Sequence, residues 1–182
     1  MNHKGTVTIE TERLILRRFC LKDAKFMYYN WANDREVTKY LSWQPHKNVR
    51  DSRRRICFLK RAYIRKNYYD WAIVLKETDE PIGSIGVVDI DERSQKVHIG
   101  YCIGKKYWRK GITSEALSAL MDFFFDEVGA NRIESMHDKE NVNSGKVMTK
   151  CGMKYEGTLR EYFINNTGIK DMCFYGIVKG DR

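Results

Sequence analysis

The chain has 182 residues, 42% of them hydrophobic and 31% charged, proportions typical of a folded globular protein rather than a disordered one. No apolar run reaches the roughly 18 residues that a membrane helix needs, and the N-terminus lacks the apolar stretch of a signal peptide, so we expect a cytoplasmic protein without a membrane partner. Five scattered cysteines without a CxxC pair argue against a disulfide framework or a zinc site. The length predicts a single domain over residues 1–182.

The first third of the chain predicts one strand and two helices. Residues 11–19 alternate in the way a strand does. Asp23 is placed to cap a helix that runs to about Trp31. Between Val49 and Asn67, apolar residues recur at helical spacing, which predicts a second helix with one face turned inward.

That second helix is strongly basic. It carries eight basic residues against one acidic residue, in a chain whose net charge is +9. Such a run would attract an acidic substrate, RNA or a ribosomal surface. A solvated helix face is the simpler interpretation, and both stay open. The basic residues are Arg50, Arg53, Arg54, Arg55, Lys60, Arg61, Arg65 and Lys66.

The rest of the chain predicts strands separated by two helices. Three strand-like runs are followed by a long helix from about Gly111 that ends at Gly129. A short strand, a short helix capped by Asn143 or Ser144, and a closing hairpin with a turn at residues 165–168 come next. The sequence therefore predicts an α/β (α+β) fold: a mixed sheet of about seven strands flanked by about four helices, the long helix crossing between neighbouring strands. The strands are expected at 71–75, 81–88, 96–103, 132–136, 154–164 and 170–179.

The junction at residues 107–116 lies between a strand and this long helix. The first turn of a helix has unpaired N–H groups and partial positive charge, which suit a phosphate. Gly111 lets the backbone approach an anion closely, and Arg109 and Lys110 add charge. Thr113 and Ser114 can donate hydroxyls or cap the helix. In the simpler interpretation Gly111 only makes the turn, and the residues alone support both equally.

Asn141, Asn143 and Ser144 form a second polar group, at the start of the next helix. Capping explains at least one of them, because asparagine and serine are favoured helix caps. It does not explain all three together.

These features jointly resemble the GNAT acetyltransferase superfamily, and more closely its RimJ/RimL branch of ribosomal-protein N-acetyltransferases. The likeness spans nearly the whole chain, and the joint pattern is specific although each piece is weak. Five stretches carry it: residues 11–17; 99–103 with 107–112; 113–117; 141–144 with 150–153; and 156–161.

The resemblance implies a GNAT-like fold whose parallel strands splay apart to admit acetyl-CoA. It implies that the backbone near Tyr101, Cys102 and Ile103 pairs with the pantetheine arm like an added strand. Asn141 would face the cofactor near its thioester, and Ser144 would protonate or hydrogen-bond the leaving thiolate. The amides that would hold the pyrophosphate belong to Arg109, Lys110, Gly111, Ile112, Thr113 and Ser114.

Several positions depart from the family pattern. Trp108 and Thr113 stand where relatives prefer other residues, and Met148 stands near the place of a tyrosine acid. His98 replaces a glutamate and is a candidate base for an α-ammonium group, with a hydrogen-bonded strand histidine as the simpler interpretation. Glu115 is a second candidate base, and water alone is a third possibility.

The predicted activity is acetyl-CoA-dependent N-acetylation of a primary amine by direct attack in a ternary complex, without a metal. The resemblance favours a protein N-terminal α-amine as the acceptor. A small-molecule amine and a non-catalytic CoA-binding or RNA-binding module remain as alternatives, and a homodimer is compatible with the resemblance. Aromatic residues expected to line the acceptor pocket, or else to pack in the core, are Trp31, Tyr40, Trp43 and Tyr162.

Overall fold

The computed structural model describes all 182 residues, and its eight strands form one mixed sheet. The strand order is β1-β2-β3-β4-β5-β6-β8-β7, and every neighbouring pair is antiparallel except β5 and β6. The strands are β1 Ile9–Glu10, β2 Leu14–Arg17, β3 Asp70–Leu75, β4 Glu80–Asp91, β5 Lys96–Ile103, β6 Arg132–Asp138, β7 Lys154–Asn165 and β8 Gly168–Val178.

Five α-helices accompany the sheet. Two of them, α1 and α4, continue directly into π-helical turns at Tyr28–Ala32 and Phe123–Val128. The second of these ends at Gly129, which adopts the predicted left-handed conformation with φ of 77°. The helices are α1 Asp23–Met27, α2 Arg35–Thr38, α3 Val49–Ala62, α4 Ile112–Asp122 and α5 Val142–Lys150.

The predicted fold class is confirmed, with one more strand and one more helix than expected. The additions are β1, of two residues, and α2, of four residues, both too short to show a hydrophobic period. Helix α3 ends at Ala62, earlier than the predicted Asn67. Asp23 does not cap α1, because its carboxylate accepts hydrogen bonds from Arg17 and from the amide of Cys20.

The sheet separates two hydrophobic cores. The larger core has 26 buried residues and packs α4 and α5 against one face. The smaller has 11 and packs α1 and α3 against the other. Strand β5 contributes to both, since Ile99 and Tyr101 pack with the larger core and Cys102 packs with the smaller. Side chains one residue apart on β5 therefore meet opposite sides of the molecule. No helix in the structure is long and apolar enough to cross a lipid bilayer.

Candidate active site

The parallel strands β5 and β6 pair over only three residues. The last pair is His98 with Glu134, after which the Ser135 hydroxyl donates to the Ile99 carbonyl at 2.8 Å. Beyond that contact the two strands form no ladder. An opening therefore lies between the last residues of β5 and those of β6, as the predicted splay requires.

Only alternate residues of β5 turn their backbone groups toward this opening. The Ile103 carbonyl accepts a hydrogen bond from the Trp108 indole N–H at 2.9 Å, whereas the amide of Gly104 donates to Ile82 on the β4 side. Because backbone groups alternate along a strand, those of Tyr101 also face the opening and those of Cys102 face β4. The predicted set of three backbone partners thus narrows to Tyr101 and Ile103, since the amide of Cys102 is directed away.

Helix α4 begins at the end of this opening. Gly111 precedes it with φ of 74°, and no side chain caps its first turn. The first amides of α4 therefore keep their donors free. The side chains of Ile112 and Ser114 are buried, so these two residues offer a ligand their backbone only. Thr113 is half-buried, and its hydroxyl makes no hydrogen bond within the protein.

Cations converge on Gly111 from three parts of the chain. A Cβ atom at this position would lie 3.6 Å from Arg13 Nη2 and 3.6 Å from Lys150 Nζ. Arg109 and Lys110 are exposed, and neither forms an ion pair. Arg13 and Lys150 were not predicted, because nothing in the sequence indicates that residues so distant meet here. Free amides and Lys150, with Arg109 and Lys110 next in the chain, favour an anion at this glycine, although Glu115 already pairs with Arg13.

Glu115 is fully engaged in holding this loop. Its carboxylate accepts hydrogen bonds from the Thr11 hydroxyl at 2.5 Å, the Arg13 amide at 2.9 Å and Arg13 Nε at 2.7 Å. Burial alone would raise the pKa of Glu115, but the hydrogen bonds from Thr11 and Arg13 outweigh it and lower the pKa. Arg13 also donates to the Lys110 carbonyl at 3.0 Å. This geometry favours a structural role for Glu115 over the candidate base.

The predicted caps of α5 are wrong. The helix begins at Val142 with Asn141 as its N-cap residue, yet the Asn141 side chain makes no capping bond. Asp138 orders the turn instead, accepting the Glu140 amide at 2.9 Å and the Asn165 side chain at 2.6 Å. The Asn141 side-chain amide therefore makes no hydrogen bond within the protein.

Ser144 lies on α5 beside β5. The Tyr101 phenol oxygen is 3.0 Å from Ser144 Oγ and 3.1 Å from the Ser144 carbonyl. Burial raises the pKa of Tyr101 far above its usual range, so the phenol stays protonated. Met148, near the place where relatives carry a tyrosine, is fully buried in the larger core. The phenol near Ser144 thus comes from β5 rather than from α5.

His98 lies where β5 and β6 part. It is 9% exposed, and its Nδ1 is 3.8 Å from the Glu134 carboxylate. Burial lowers the pKa of His98, and the carboxylates of Glu134 and Asp89 only partly offset this effect. By alternation its ring lies on the sheet face opposite Tyr101, and Val88 covers Gly100 on the same face. The 3.8 Å separation from Glu134 is too long for a hydrogen bond, and the role of His98 as a base stays a prediction.

Cys102 has the properties of a structural thiol. Its sulfur lies 3.3 Å from the Ser84 hydroxyl, and burial raises the pKa of the thiol to about 11. The thiol is therefore protonated near neutral pH and is a poor nucleophile.

The tip of the β7–β8 hairpin docks against the segment after α2. The Asn166 side chain donates to the Thr38 carbonyl at 2.9 Å and to the Trp43 carbonyl at 2.8 Å. Of the predicted acceptor-pocket aromatics, Trp31 is 2% exposed and belongs to the smaller core. Tyr162 is exposed and packs edge-on against another ring of the hairpin. The docked hairpin places the remaining two, Tyr40 and Trp43, near its tip.

Helix α5 packs closely on β6 through Gly145. A Cβ atom there would lie 2.6 Å from His137 Nε2 and 3.1 Å from the Tyr175 hydroxyl. The His137 ring cannot move freely, because its Nδ1 is 2.7 Å from the Asp138 carbonyl and the ring is surrounded by protein. Its Nε2 is buried without a partner. We expect Gly145→Ala to lower the free energy of unfolding by about 1–3 kcal/mol through overpacking. Chemical denaturation measures this, and unchanged stability would contradict the packing.

The family comparison agrees with this geometry. Residues 13–154 match the family model described as an acetyltransferase (GNAT) domain. The chain belongs to the GNAT acetyltransferase family. It is an acyltransferase by that membership, and the predicted GNAT family is confirmed.

Three proteins illustrate what this chain is similar to. An uncharacterized N-acetyltransferase p20 of Bacillus licheniformis is 35% identical over 172 residues, covering 94% of this chain and 96% of the relative. The [ribosomal protein uS5]-alanine N-acetyltransferase of Escherichia coli (strain K12) is 24% identical, covering 87% and 84%. The microcin C7 self-immunity acetyltransferase MccE, solved with acetyl-CoA and AMP, has a TM-score of 0.80 at 24% identity, covering 92% and 93%.

Proposed function

We propose that this GNAT enzyme acetylates a primary amine with acetyl-CoA, by direct attack in a ternary complex, and that its acceptor is a protein N-terminal α-amine. The observation that carries the proposal is the opening between β5 and β6, which leads to an uncapped helix start with Arg13 and Lys150 beside Gly111. The E. coli relative acts on an alanine of a ribosomal protein, and MccE was solved with acetyl-CoA, which supports both parts.

The residues at this opening fit acetyl-CoA. Gly111 leaves the space that a Cβ atom would fill, and the free α4 amides with Arg13 and Lys150 suit a pyrophosphate. Tyr101 and Ile103 offer backbone groups to an extended amide-bearing arm, in the manner of an added strand. Acetyl-CoA supplies the thioester carbonyl, and an amide of β5, from Tyr101 or Ile103, stabilises the negative charge that develops on its oxygen.

The two candidate proton-transfer groups lie on opposite faces of β5. His98 faces the side of α1 and α3, where we place the acceptor amine, and takes a proton from its ammonium group. Ser144 lies on the other side, where the thiolate departs, and Asn141 faces the same region with its free amide. When the phenol donates its hydrogen bond to Ser144 Oγ rather than to the Ser144 carbonyl, the serine O–H is free to hydrogen-bond the departing sulfur. Entry of the nucleophile and exit of the leaving group are thereby separated.

Ser144→Ala is expected to lower kcat about tenfold while leaving the Kd for acetyl-CoA within about twofold. The reason is that the hydroxyl assists thiolate departure rather than ground-state binding, and a thiolate needs less assistance than most leaving groups. Steady-state kinetics and calorimetry measure the two quantities. Wild-type kcat in this variant would remove Ser144 from the mechanism.

A thiol-release screen tests the acceptor class. Acetyl-CoA is offered with N-terminal peptides that begin with alanine, serine or methionine, and with polyamines, amino acids and aminoglycosides. Release of the CoA thiol with peptides alone supports the proposal, and faster release of the thiol with small amines favours a small-molecule acceptor. Cofactor binding without release for any amine would indicate a non-catalytic module.

The five free cysteines are usual in a reducing compartment, which supports our proposal that the enzyme acts in the cytoplasm.

A further inference from the structure

The outward face of α3 presents a row of cations that the proposed reaction does not use. Ile56 and Leu59 bury the opposite face of α3 in the smaller core, which is why these cations point to solvent. The exposed residues recur every three or four positions and border one shallow groove. They are Arg50, Arg53, Arg54, Cys57, Phe58 and Arg61, with Asn48 at the helix start.

Most of these cations have no partner in the protein. Arg54 pairs with Asp51, but Arg50, Arg53 and Arg61 form no ion pair and no side-chain hydrogen bond. They extend over twelve residues of helix, with a rise of about 16 Å from the first to the last. Free guanidinium groups in a row hold phosphates well, since each can donate two parallel hydrogen bonds.

An aromatic ring lies in the middle of this row. Phe58 is 51% exposed, although its neighbours on the buried face are almost fully covered. Exposed aromatics among cations are what proteins use to bind single-stranded nucleic acid, because bases stack on the ring while cations follow the backbone. Part of the Phe58 ring contacts Arg55 and Tyr68, and an acidic peptide would make no use of the part that stays exposed.

We propose that the α3 face, defined by Arg50, Arg53, Phe58 and Arg61, binds single-stranded RNA. Unstacked bases are common in RNA loops and ends, whereas the bases of duplex DNA are paired. The site lies outside the opening between β5 and β6, so it would bring the enzyme to RNA-associated acceptors without blocking acetyl transfer.

The test is fluorescence anisotropy with a labelled oligouridine and matched charge variants. R53E/R61E and the control K22E/R93E each change the net charge from +9 to +5. Lys22 and Arg93 are exposed and have no ion pair. We expect R53E/R61E to weaken binding at least about tenfold and flatten its salt dependence, with the control within about twofold. We expect F58A to weaken it about tenfold through lost stacking.

Further control experiments distinguish RNA binding at α3 from cofactor binding and from binding of any anion. RNA affinity should stay unchanged when acetyl-CoA is saturating, and also in the G111D variant. Both results would show that the RNA site is separate from the cofactor site, so the RNA proposal can hold even if the proposed reaction is wrong. Equal loss in R53E/R61E and the control would overturn the proposal, as would no binding at low salt. The proposal would also be overturned if the protein bound poly-glutamate or anionic phosphatidylserine vesicles as tightly as RNA and F58A had the wild-type affinity for all of them. That result would indicate a general anionic partner.

Discussion

Replacing Gly111 by aspartate is expected to weaken acetyl-CoA binding at least about 100-fold while the protein stays folded. The loss corresponds to a few kcal/mol, the size of a like-charge contact between binding partners. The new carboxylate would lie within reach of Arg13 and Lys150, whose nitrogens are each 3.6 Å from the Cβ position. It would neutralise the two cations that we assign to the pyrophosphate and repel the phosphates themselves.

The fold should tolerate this change because aspartate accepts the left-handed conformation better than most residues. New ion pairs with Arg13 and Lys150 would also offset part of the strain. Gly111→Asn is the matched control, since it has nearly the same shape and backbone tolerance but no charge. We expect asparagine to lose about tenfold from crowding alone. Calorimetric titration with acetyl-CoA measures both, and equal affinity of the aspartate variant and the wild type would contradict the loop assignment.

The elements that position the site were largely predictable because their hydrophobic periods are long. Strand β5 occupies residues 96–103, as alternation predicts, and the long helix joins it to its parallel neighbour β6. Gly129 and the 165–168 turn also have the predicted roles. The predicted cap of α1 was wrong because Arg17 and the amide of Cys20 occupy the Asp23 carboxylate. The predicted caps of α5 were wrong because that helix already begins at Val142, which places Asn143 and Ser144 inside it.

The cations beside Gly111 and the pairing of the Tyr101 and Ser144 hydroxyls could not be predicted, because tertiary packing creates them. Arg13 precedes β2, Lys150 ends α5, and they meet only at Gly111. The Tyr101 phenol and Ser144 are 43 residues apart. Which residues of β5 face the opening follows from alternation only once the open edge of the strand is known, and the backbone groups of Cys102 face β4 instead.

Trp108 shows how a departure from the family pattern can be explained. In the sequence it stands where relatives prefer another residue. In the structure its indole N–H donates to the Ile103 carbonyl at 2.9 Å, fastening the loop to the end of β5. The tryptophan thus occupies one acceptor at the opening, which leaves the amide of Ile103 and both backbone groups of Tyr101 for a bound arm.

His98→Gln is expected to lower kcat/KM about 100-fold at neutral pH, at the lower end of the range for general bases. Burial lowers the pKa of His98 below its ordinary value of 6.5, so the ring is neutral and able to accept a proton at pH 7. Wild-type activity should therefore fall only as the pH drops through that lowered pKa. In the variant this fall should disappear, and activity should instead rise until the α-ammonium loses its proton near pH 8.

Glu134→Gln distinguishes a true base from a buried structural histidine. The Glu134 carboxylate, 3.8 Å from Nδ1, raises the pKa of His98 against the stronger effect of burial. Its removal should move the acid limb of the pH profile to lower pH while leaving the plateau nearly unchanged. A merely structural His98 would give the same limb in all three proteins, with differences only in Tm. A shift in the Glu134 variant together with loss of the limb in the His98 variant can arise only if the proton that controls the rate resides on His98.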